Sequence, residues 1–453
     1  MVAPKLDVYQ VNLQNSDASA PLVIPLVVLC NTPDEQIAAN VRANSARDLM
    51  WLSQSPAHDR TAVFVGGGPS VADDIDDIVA MHRAGATVFA INAASQWLRA
   101  RGVIPDWQVT CDAQPRTADL VDEGARGHLF ASQVDPATLA KAPDAHLWHL
   151  ETGNVEENLP PDRVRRGGYV LIGGGASSGN SALCLAYAMG YRDMHVFGYD
   201  SSHRDGNGHA YPQPMNAGIP VINMEWAGKS YQVGVAMKSQ AEKFQITGQA
   251  LQQLGCKITV HGEGLLPDMW RTPASALSER DVYVRMWMHD SYRTISPGEI
   301  MVPDIADFCE TGPLIDFGCG TGRAAVELTR RGYKVMLVDF AENCRDDEAV
   351  PLYFLAWDLS RPIPLRAPYG YCCDVMEHIP PEQVDDVLAN MREACSEGVF
   401  FRIEHELDGH GPATLGRPLH LSVQDAAWWY KKLREHWASV ESKGDGVFLA
   451  RTK

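Results

Sequence analysis

Positive charge is scarce in this chain. Its 39 lysines and arginines face 57 aspartates and glutamates, giving a formal net charge of −18 over 453 residues. That balance argues against a broad electrostatic grip on nucleic acid, which needs a basic face, and leaves open only a local basic groove. Cysteine pairing is missing as well. Ten cysteines are scattered with no CxxC pair and no Cys/His ligand spacing, and Cys372 and Cys373 are merely adjacent. They read as reduced, mostly buried thiols of a cytoplasmic protein rather than a disulfide frame or a zinc site. No secretory pattern opens the chain, and the longest early apolar run, 21–30, is broken by Pro25 and too short to span a bilayer. Repeats and low-complexity tracts are absent. What remains, 45% hydrophobic and 21% charged residues, is ordinary globular material, and the length predicts two or three domains with no membrane partner.

Two nucleotide signatures are absent in an informative way. There is no GxxxxGK[ST], so the chain has no P-loop. The loop Gly318-Cys319-Gly320-Thr321-Gly322 also misses the dinucleotide fingerprint, because its third glycine arrives one residue early and Arg323 holds the sixth position. An apolar run, 313–317, precedes this loop. A helical pattern, 323–331, then Gly332 and a second apolar run ending at Asp339 follow it. Strand, glycine loop, helix, strand is the opening of a doubly wound α/β fold. Glycines let backbone approach a ligand without Cβ interference and deliver it to a helix N-terminus. Asp339, about 20 residues past the first glycine, stands where a carboxylate takes ribose hydroxyls.

With Asp316 just ahead of the loop, LIDFGCGTG resembles motif I of class I S-adenosylmethionine-dependent methyltransferases. The resemblance implies that Asp316, Gly318, Gly320, Gly322 and Asp339 bind S-adenosylmethionine. The pattern continues with a strand, 350–357, ending at Asp358, a natural adenine partner. Residues 369–375 then lead into Met376-Glu377-His378-Ile379-Pro380-Pro381, which looks like the DxxEHIP segment of small-molecule and ubiquinone-type methyltransferases. No [ND]PP[YF] motif suggests an exocyclic amino group as target. His378, Glu404 and His405 are candidates for a base or for substrate orientation, or are plain polar residues satisfying strand ends, because methyl transfer mainly needs in-line positioning. His420 and a helix over 423–437 should close the C-terminal side, with 446–451 a final edge strand.

A second glycine turn lies far upstream. In TAVFVGGGPSVADD a β run ends at Val65, Gly66-Gly67-Gly68 turn, Pro69 suits a first helical position, and Ser70 is placed to cap or to contact a phosphate. Further strand ends carry Asn92 and Asp112, the succession expected at the carboxyl edge of a parallel sheet. Asp73, Asp74, Asp76 and Asp77 complement a helix dipole but repel a polyphosphate over it, favouring a nucleotide with few phosphates or one held by backbone. Taken alone, GGGPS is an ordinary strand-to-helix connector. Ahead of it, 1–60 contain a strand (22–29) and a helical stretch (34–53) that name no chemistry. Arg163, Arg165 and Arg166 form a basic cluster, able to meet an anion but more often plain surface.

The third glycine cluster, 169–211, runs from YVLIGGG through Ser177-Ser178-Gly179-Asn180 and an apolar helix to a strand ending at Asp200. A loop then passes Arg204 and Asp205 to His209 and Tyr211. VGGGPS, the Asn92 strand end, PDWQVTCDAQ, LAYAMGY, FGYD and GHAY come in an order that resembles the DUF115 group over 61–268. That group takes in the archaeal 6-hydroxymethylpterin diphosphokinase (MptE-like) proteins and the flagellin-modifying Maf glycosyltransferases, and is related in fold to glycosyltransferase family 42. The resemblance implies a nucleotide pocket lined by Gly66, Gly67, Gly68, Ser70, Asn92, Ser178 and Asn180. Asp112 and Asp200 would stand over ribose, metal or substrate. His209 would be the general base, a role for which a near-neutral imidazole is suited, and Tyr211 would bond the leaving phosphate. His203, in the same loop, competes with His209 for that role.

The expected architecture is therefore α/β, with two doubly wound Rossmann-like domains in tandem. Residues 1–60 form an extension packing on the first domain, 61–270 the DUF115-like nucleotide-binding domain, 271–312 a linker and lid, and 313–453 the methyltransferase domain. A helix over 233–254 should pack on the first sheet. In the linker, Tyr283, Trp287, Met288 and Tyr292 suit an interdomain or core contact better than a cofactor box. The expected activity is a bifunctional transferase: glycosyl transfer from a nucleotide-sugar, then methylation in the same pathway, on a glycan, protein or modified nucleobase. A pterin-type pyrophosphokinase using ATP and Mg²⁺ held by Asp112 and Asp200, and a non-catalytic nucleotide-binding scaffold, are the alternatives.

Overall fold

The computed structural model describes residues 6–13, 22–29, 32–150, 171–173, 177–213, 218–294, 296–310 and 312–453. The chain forms two compact units, Met1–Thr272 and Pro273–Lys453. Both are Rossmann-like: each has a sheet that is parallel at its centre and reverses its strand order at one point. The Arg163, Arg165 and Arg166 cluster lies outside the described residues.

In the first unit a hairpin, β1 (Leu6–Leu13) and β2 (Leu22–Leu29), precedes the sheet. The sheet strands are β3 (Thr61–Val65), β4 (Thr87–Ile91), β5 (Trp107–Thr110), β6 (His128–Ala131), β7 (His146–Leu150), β8 (Leu171–Ile172), β9 (Asp193–Phe197) and, after a second hairpin of β10 (Val221–Trp226) with β11 (Lys229–Gly234), β12 (Lys257–Val260). Their order is β12-β9-β3-β4-β5-β6-β7-β8 and every pair is parallel. Short apolar runs suit this, since a parallel sheet is covered on both faces; β3 and β4 are buried along four of their five residues. The chain walks outward from β3 to β8. The helix Ser178–Ala188, buried at every residue and capped by the Ser177 hydroxyl, then returns it so that β9 lands on the other flank of β3. The switch point therefore falls between β3 and β9, at the Gly66-Gly67-Gly68 turn.

The N-terminal segment departs from expectation in two ways. A strand at Leu6–Leu13 joins the expected one, and the helix stops at Ser45 instead of reaching 53. The helix is held by amides rather than by apolar packing alone. Asn40 Nδ2 donates to the carbonyls of Ala113 and Gln133, at 3.2 and 3.0 Å, and Asn44 Nδ2 to those of Ser132 and Val134, at 2.9 and 2.6 Å.

The second unit is built on β13 (Pro313–Phe317), β14 (Lys334–Asp339), β15 (Tyr353–Ala356), β16 (Ala367–Cys373), β17 (Cys395–Arg402), β18 (Ser439–Gly444) and β19 (Val447–Arg451). Their order, β15-β14-β13-β16-β17-β19-β18, reverses between β13 and β16, the point to which the 318–322 glycine loop belongs. The last strand is not the edge strand expected from the sequence. The turn at Asp445 and Gly446, both at positive φ, folds β19 back between β17 and β18, antiparallel to both, so β18 forms the edge. The 271–312 stretch contributes the helices Glu279–Met286, Asp290–Arg293, Pro297–Ile300 and Val302–Phe308. Val302, Ile305 and Phe308 join the core around Leu314, Leu328 and Leu337.

Among the described residues no helix is long and apolar enough to cross a membrane. The first sheet's core is exemplified by Phe64 of β3, fully buried and stacked on Phe89 at 5.2 Å between ring centroids. Phe64→Ala should lower unfolding stability by about 3–5 kcal/mol in denaturant titration; a loss under about 1 kcal/mol would show a core that collapses onto the gap.

Candidate functional site

The turn after β3 has no side chains because protein occupies the space they would need. A Cβ on Gly66 would lie 2.5 Å from the Gly198 carbonyl oxygen, and on Gly68 2.6 Å from the Asp200 carboxyl group. On Gly67 it would lie 2.7 Å from the Tyr211 hydroxyl and 3.0 Å from the His209 ring. Backbone bonds zip the two loops together: Gly68 N–H donates to the Gly198 carbonyl at 2.8 Å, and Ala210 N–H to the Gly67 carbonyl at 3.0 Å. The glycine turn and the FGYD–GHAY loop are thus one layer.

Beside that layer opens a cavity of about 1190 Å³. Of the residues expected to bind nucleotide or do chemistry, Gly66, Gly67, Gly68, Asn92, Ser178, His209 and Tyr211 line it. Asn92 ends β4 at φ +50 with its Oδ1 buried and without a hydrogen-bond partner, a cost that a ligand donor would remove. Burial, reinforced by His203, holds the His209 imidazole below its ordinary pKa, so it is neutral and able to accept a proton. Burial raises the Tyr211 phenol, keeping it a donor. His203 also lines the cavity, so geometry alone leaves both histidines in place as candidate bases.

Four expected residues are not among the lining. Both Asp200 oxygens bind Ser70, accepting from its N–H and its hydroxyl at 2.6 Å each; burial nevertheless pushes this carboxyl up to about 6. Ser70 and Asp200 therefore clamp the turn from behind. Asp112 Oδ1 accepts from Gln114 N–H at 3.0 Å in a local turn. Asn180 is buried in the helix N-terminus, its Nδ2 donating to the Gln240 carbonyl at 3.3 Å. A strand-end carboxylate finds backbone and hydroxyl donors nearer than any ligand, and spacing cannot distinguish the two. Conversely, Met237 and Gln240 line the cavity from the helix Val235–Gln253, which the sequence marks only as packing. Arg204 lines it too, tied to Asp73 at 2.5 Å.

The second unit has its own cavity, about 310 Å³, at the 318–322 loop. Gly318, Gly320 and Gly322 sit at φ +73, +48 and +75, the left-handed region that glycine adopts without strain. Asp316 near the end of β13 lines the cavity and is 4% exposed, with the buried Tyr371 hydroxyl beside it. Burial, opposed by the Tyr371 hydroxyl and reinforced by the nearby Asp339 charge, pushes this carboxyl up to about 7. A buried carboxyl on the cavity wall beside a glycine-rich loop fits a cationic ligand such as the aminoacyl sulfonium part of S-adenosylmethionine.

The nucleoside-side residues do not line this cavity. Asp339 accepts from Gly320 N–H at 3.1 Å and Ala341 N–H at 2.9 Å, and Asp358 from Ser360 N–H at 2.9 Å. The 279–293 segment stands over that side. Tyr283 packs on Phe340 at 5.5 Å, Asn343 Nδ2 donates to the Val284 carbonyl at 2.8 Å, and Arg293 bonds the Asn343 and Arg345 carbonyls and Asp346. Trp287 and Tyr292, read from sequence as core or interdomain contact, line the cavity instead, with the Trp287 ring over Gly320. Glu404 and His378 line it as well, whereas His405 binds the Gln424 carbonyl and does not.

Residues 35–206 match the family model described as 6-hydroxymethylpterin diphosphokinase MptE-like. The MptE-like region thus covers the 1190 Å³ cavity up to the first part of the His203–Tyr211 loop. No curated protein matches the chain. Among solved structures, the MAf glycosyltransferase from Magnetospirillum magneticum AMB-1 aligns at 19% identity and TM-score 0.41, over 61% of this chain and 46% of that one. The chain therefore spans about half that protein's length. The magnesium protoporphyrin IX methyltransferase (ChlM) from Synechocystis PCC 6803, solved with S-adenosylmethionine, aligns at 16% identity and TM-score 0.29, over 38% of this chain and 84% of that one. The Burkholderia thailandensis 1,6-didemethyltoxoflavin-N1-methyltransferase, with S-adenosylhomocysteine bound, gives 17%, 0.31, 38% and 86%.

The buried Asp316 carboxyl has a consequence for stability. A carboxyl whose folded pKa is raised favours the fold while protonated, and that contribution disappears as pH rises through the folded value. The ligand-free protein should lose stability from this group between about pH 4 and pH 7. Asp316→Asn should therefore melt higher than the parent at pH 8, with the gap closing toward pH 4.5 in a thermal-unfolding series. A variant that melts lower at every pH would refute the assignment.

Proposed function

We propose that the chain is a two-part transferase, a nucleotide-dependent group transferase in the MptE-like region joined to an S-adenosylmethionine-dependent methyltransferase. The observation that carries the reading is that each unit has a cavity at the switch point of its own sheet, walled by a glycine turn. In the first cavity the side-chain-free turn would accept the nucleotide, with Asn92 and Ser178 supplying polar contacts. His209, neutral and beside the turn, would take the proton from an acceptor hydroxyl, and the Tyr211 phenol would donate to the leaving phosphate. The class favoured is transfer of a sugar from a nucleotide donor to a glycan, protein or nucleobase acceptor in the cytoplasm.

In the second cavity Asp316, Gly318 and Gly320 would hold S-adenosylmethionine, while Gly322, which is not in the lining and packs toward Ala349 and Leu337, would only shape the turn. When bound, that cofactor supplies an electrophilic methyl group. Trp287 and Tyr292 would exclude water from the loop and orient the acceptor against it. Asp339 would act through the loop, by fixing the Gly320 amide, and Asp358 through its own turn. The match to a diphosphokinase family favours a second reading for the first unit, pyrophosphoryl transfer from Mg²⁺-ATP. The engagement of Asp112 and Asp200 by protein donors weighs against it.

Ligands that bind only the folded state raise its melting temperature. A thermal-shift panel of CMP, UDP, GDP, ADP, ATP with and without Mg²⁺, and S-adenosylhomocysteine should give two responses. One nucleoside mono- or diphosphate should shift the parent without metal, and S-adenosylhomocysteine should shift the parent but not Asp316→Asn. A shift by ATP only with Mg²⁺ would transfer the first unit to the pyrophosphokinase reading. No shift with S-adenosylhomocysteine would remove the methyltransferase assignment.

A further inference from the structure

The cavity of the second unit contains a cluster that the cofactor loop does not use. Glu377, His378 and His420 each present one ligand atom, and the three atoms lie within 4.8 Å of one another. All three residues line the cavity that also contains Asp316 and Gly320. Glu377 and His378 sit in the short turn after β16. His420 comes from a distant loop brought alongside, because Leu421 and Ser422 N–H both donate to the Glu377 carbonyl, at 2.7 and 2.8 Å. Asp408 Oδ2 fixes the same loop by accepting from the Leu419 and His420 amides.

Hydrogen bonding sets these side chains as metal ligands are usually set. A ligating histidine commonly gives its second ring nitrogen to a carbonyl or carboxylate, which fixes the tautomer and aims the free lone pair. His420 Nδ1 stands 2.5 Å from the Glu406 carbonyl, and His378 Nδ1 stands 3.2 Å from the Leu419 carbonyl and 2.6 Å from the Tyr283 hydroxyl. In each ring this leaves Nε2 for another partner. Glu377 is fully buried; its Oε1 accepts from Glu404 N–H at 3.3 Å, and its Oε2 has no hydrogen-bond partner. A buried carboxylate oxygen left unpaired beside two histidines is costly without an occupant. Asp374, also on the cavity wall, is spoken for by the Arg402 guanidinium and adds no fourth ligand.

We propose that Glu377, His378 and His420 form a binding site for a divalent transition cation in the cavity wall. Two imidazoles and one carboxylate suit Mn²⁺, Fe²⁺, Co²⁺ or Zn²⁺, and a three-residue set leaves coordination positions open. Because all three residues line the cavity, a substrate donating oxygen, a hydroxyl or phenol, is the class that the cation would hold and acidify. That last step rests on the methyltransferase reading; cation binding does not.

The test uses untagged full-length protein stripped with a chelator and titrated with Co²⁺, followed by visible absorption and calorimetry, with and without S-adenosylhomocysteine. One equivalent should bind, with ligand-field bands of nitrogen and oxygen coordination. His420→Ala and, separately, Glu377→Gln should weaken binding by at least about tenfold, the scale already seen for changes one shell further out. His405→Ala, a neighbouring histidine off the cavity, should bind as the parent does. Circular dichroism on each variant separates loss of ligand from loss of fold, and His420→Ala serves if Glu377→Gln does not fold. No stoichiometric Co²⁺ on the parent, or equal loss in His405→Ala, would overturn the site. The S-adenosylhomocysteine response is read on the same samples, so the cation site and the methyltransferase reading succeed or fail separately.

Discussion

Each unit depends on a glycine-rich turn at the carboxyl end of a central strand. Where a sheet reverses its order, neighbouring crossovers diverge and leave a crevice, and the turn at that point decides what enters it. In the first unit the room made by Gly66, Gly67 and Gly68 is taken by the chain itself, since Gly198, Asp200, His209 and Tyr211 stand where three Cβ atoms would be. The candidate base and the candidate donor are thereby pressed against the turn. In the second unit the glycines answer to backbone conformation as well, with three left-handed φ values within five residues, and a Cβ on Gly318 would lie 2.5 Å from the Val375 side chain. Close approach thus acts in both sheets, and dihedral freedom is added in the second.

A second theme is polar atoms buried without a partner. Asn92 Oδ1 and Glu377 Oε2 both belong to residues on a cavity wall, and neither atom has a hydrogen-bond partner among the described residues. A ligand that pairs with such an atom on a cavity wall removes its desolvation cost. The wall of the second cavity carries Asp316 beside the glycine loop and Glu377 beside the histidine pair.

The carboxylates show how far a linear pattern reaches. Asp316, Asp339, Asp200, Asp112 and Asp358 all lie at or just past strand ends, and each is a ligand candidate from its place in the sequence. Asp316 alone lines a cavity; the others are bound by Gly320 and Ala341, by Ser70, by Gln114 and by Ser360. Those donors come from positions between 2 and 130 residues away, so the more distant ones cannot be inferred from neighbouring letters. Trp287 and Tyr292 illustrate the reverse case, aromatic residues that looked like packing and became cavity wall because the 279–293 segment folds over the 339–346 loop.

From its amino acids alone the chain set its fold class, its two glycine turns and most residues of the layer around them. These depend on local physics: apolar runs that must be covered on both faces, glycines at turns, and a helix start after each. Tertiary structure alone decided which polar side chains face a ligand, where β19 inserts, and that His420 meets Glu377 and His378. Those outcomes depend on hydrogen bonds and packing between segments far apart in the chain, where a donor at 2.6 Å can take a carboxylate that periodicity would have assigned to a substrate.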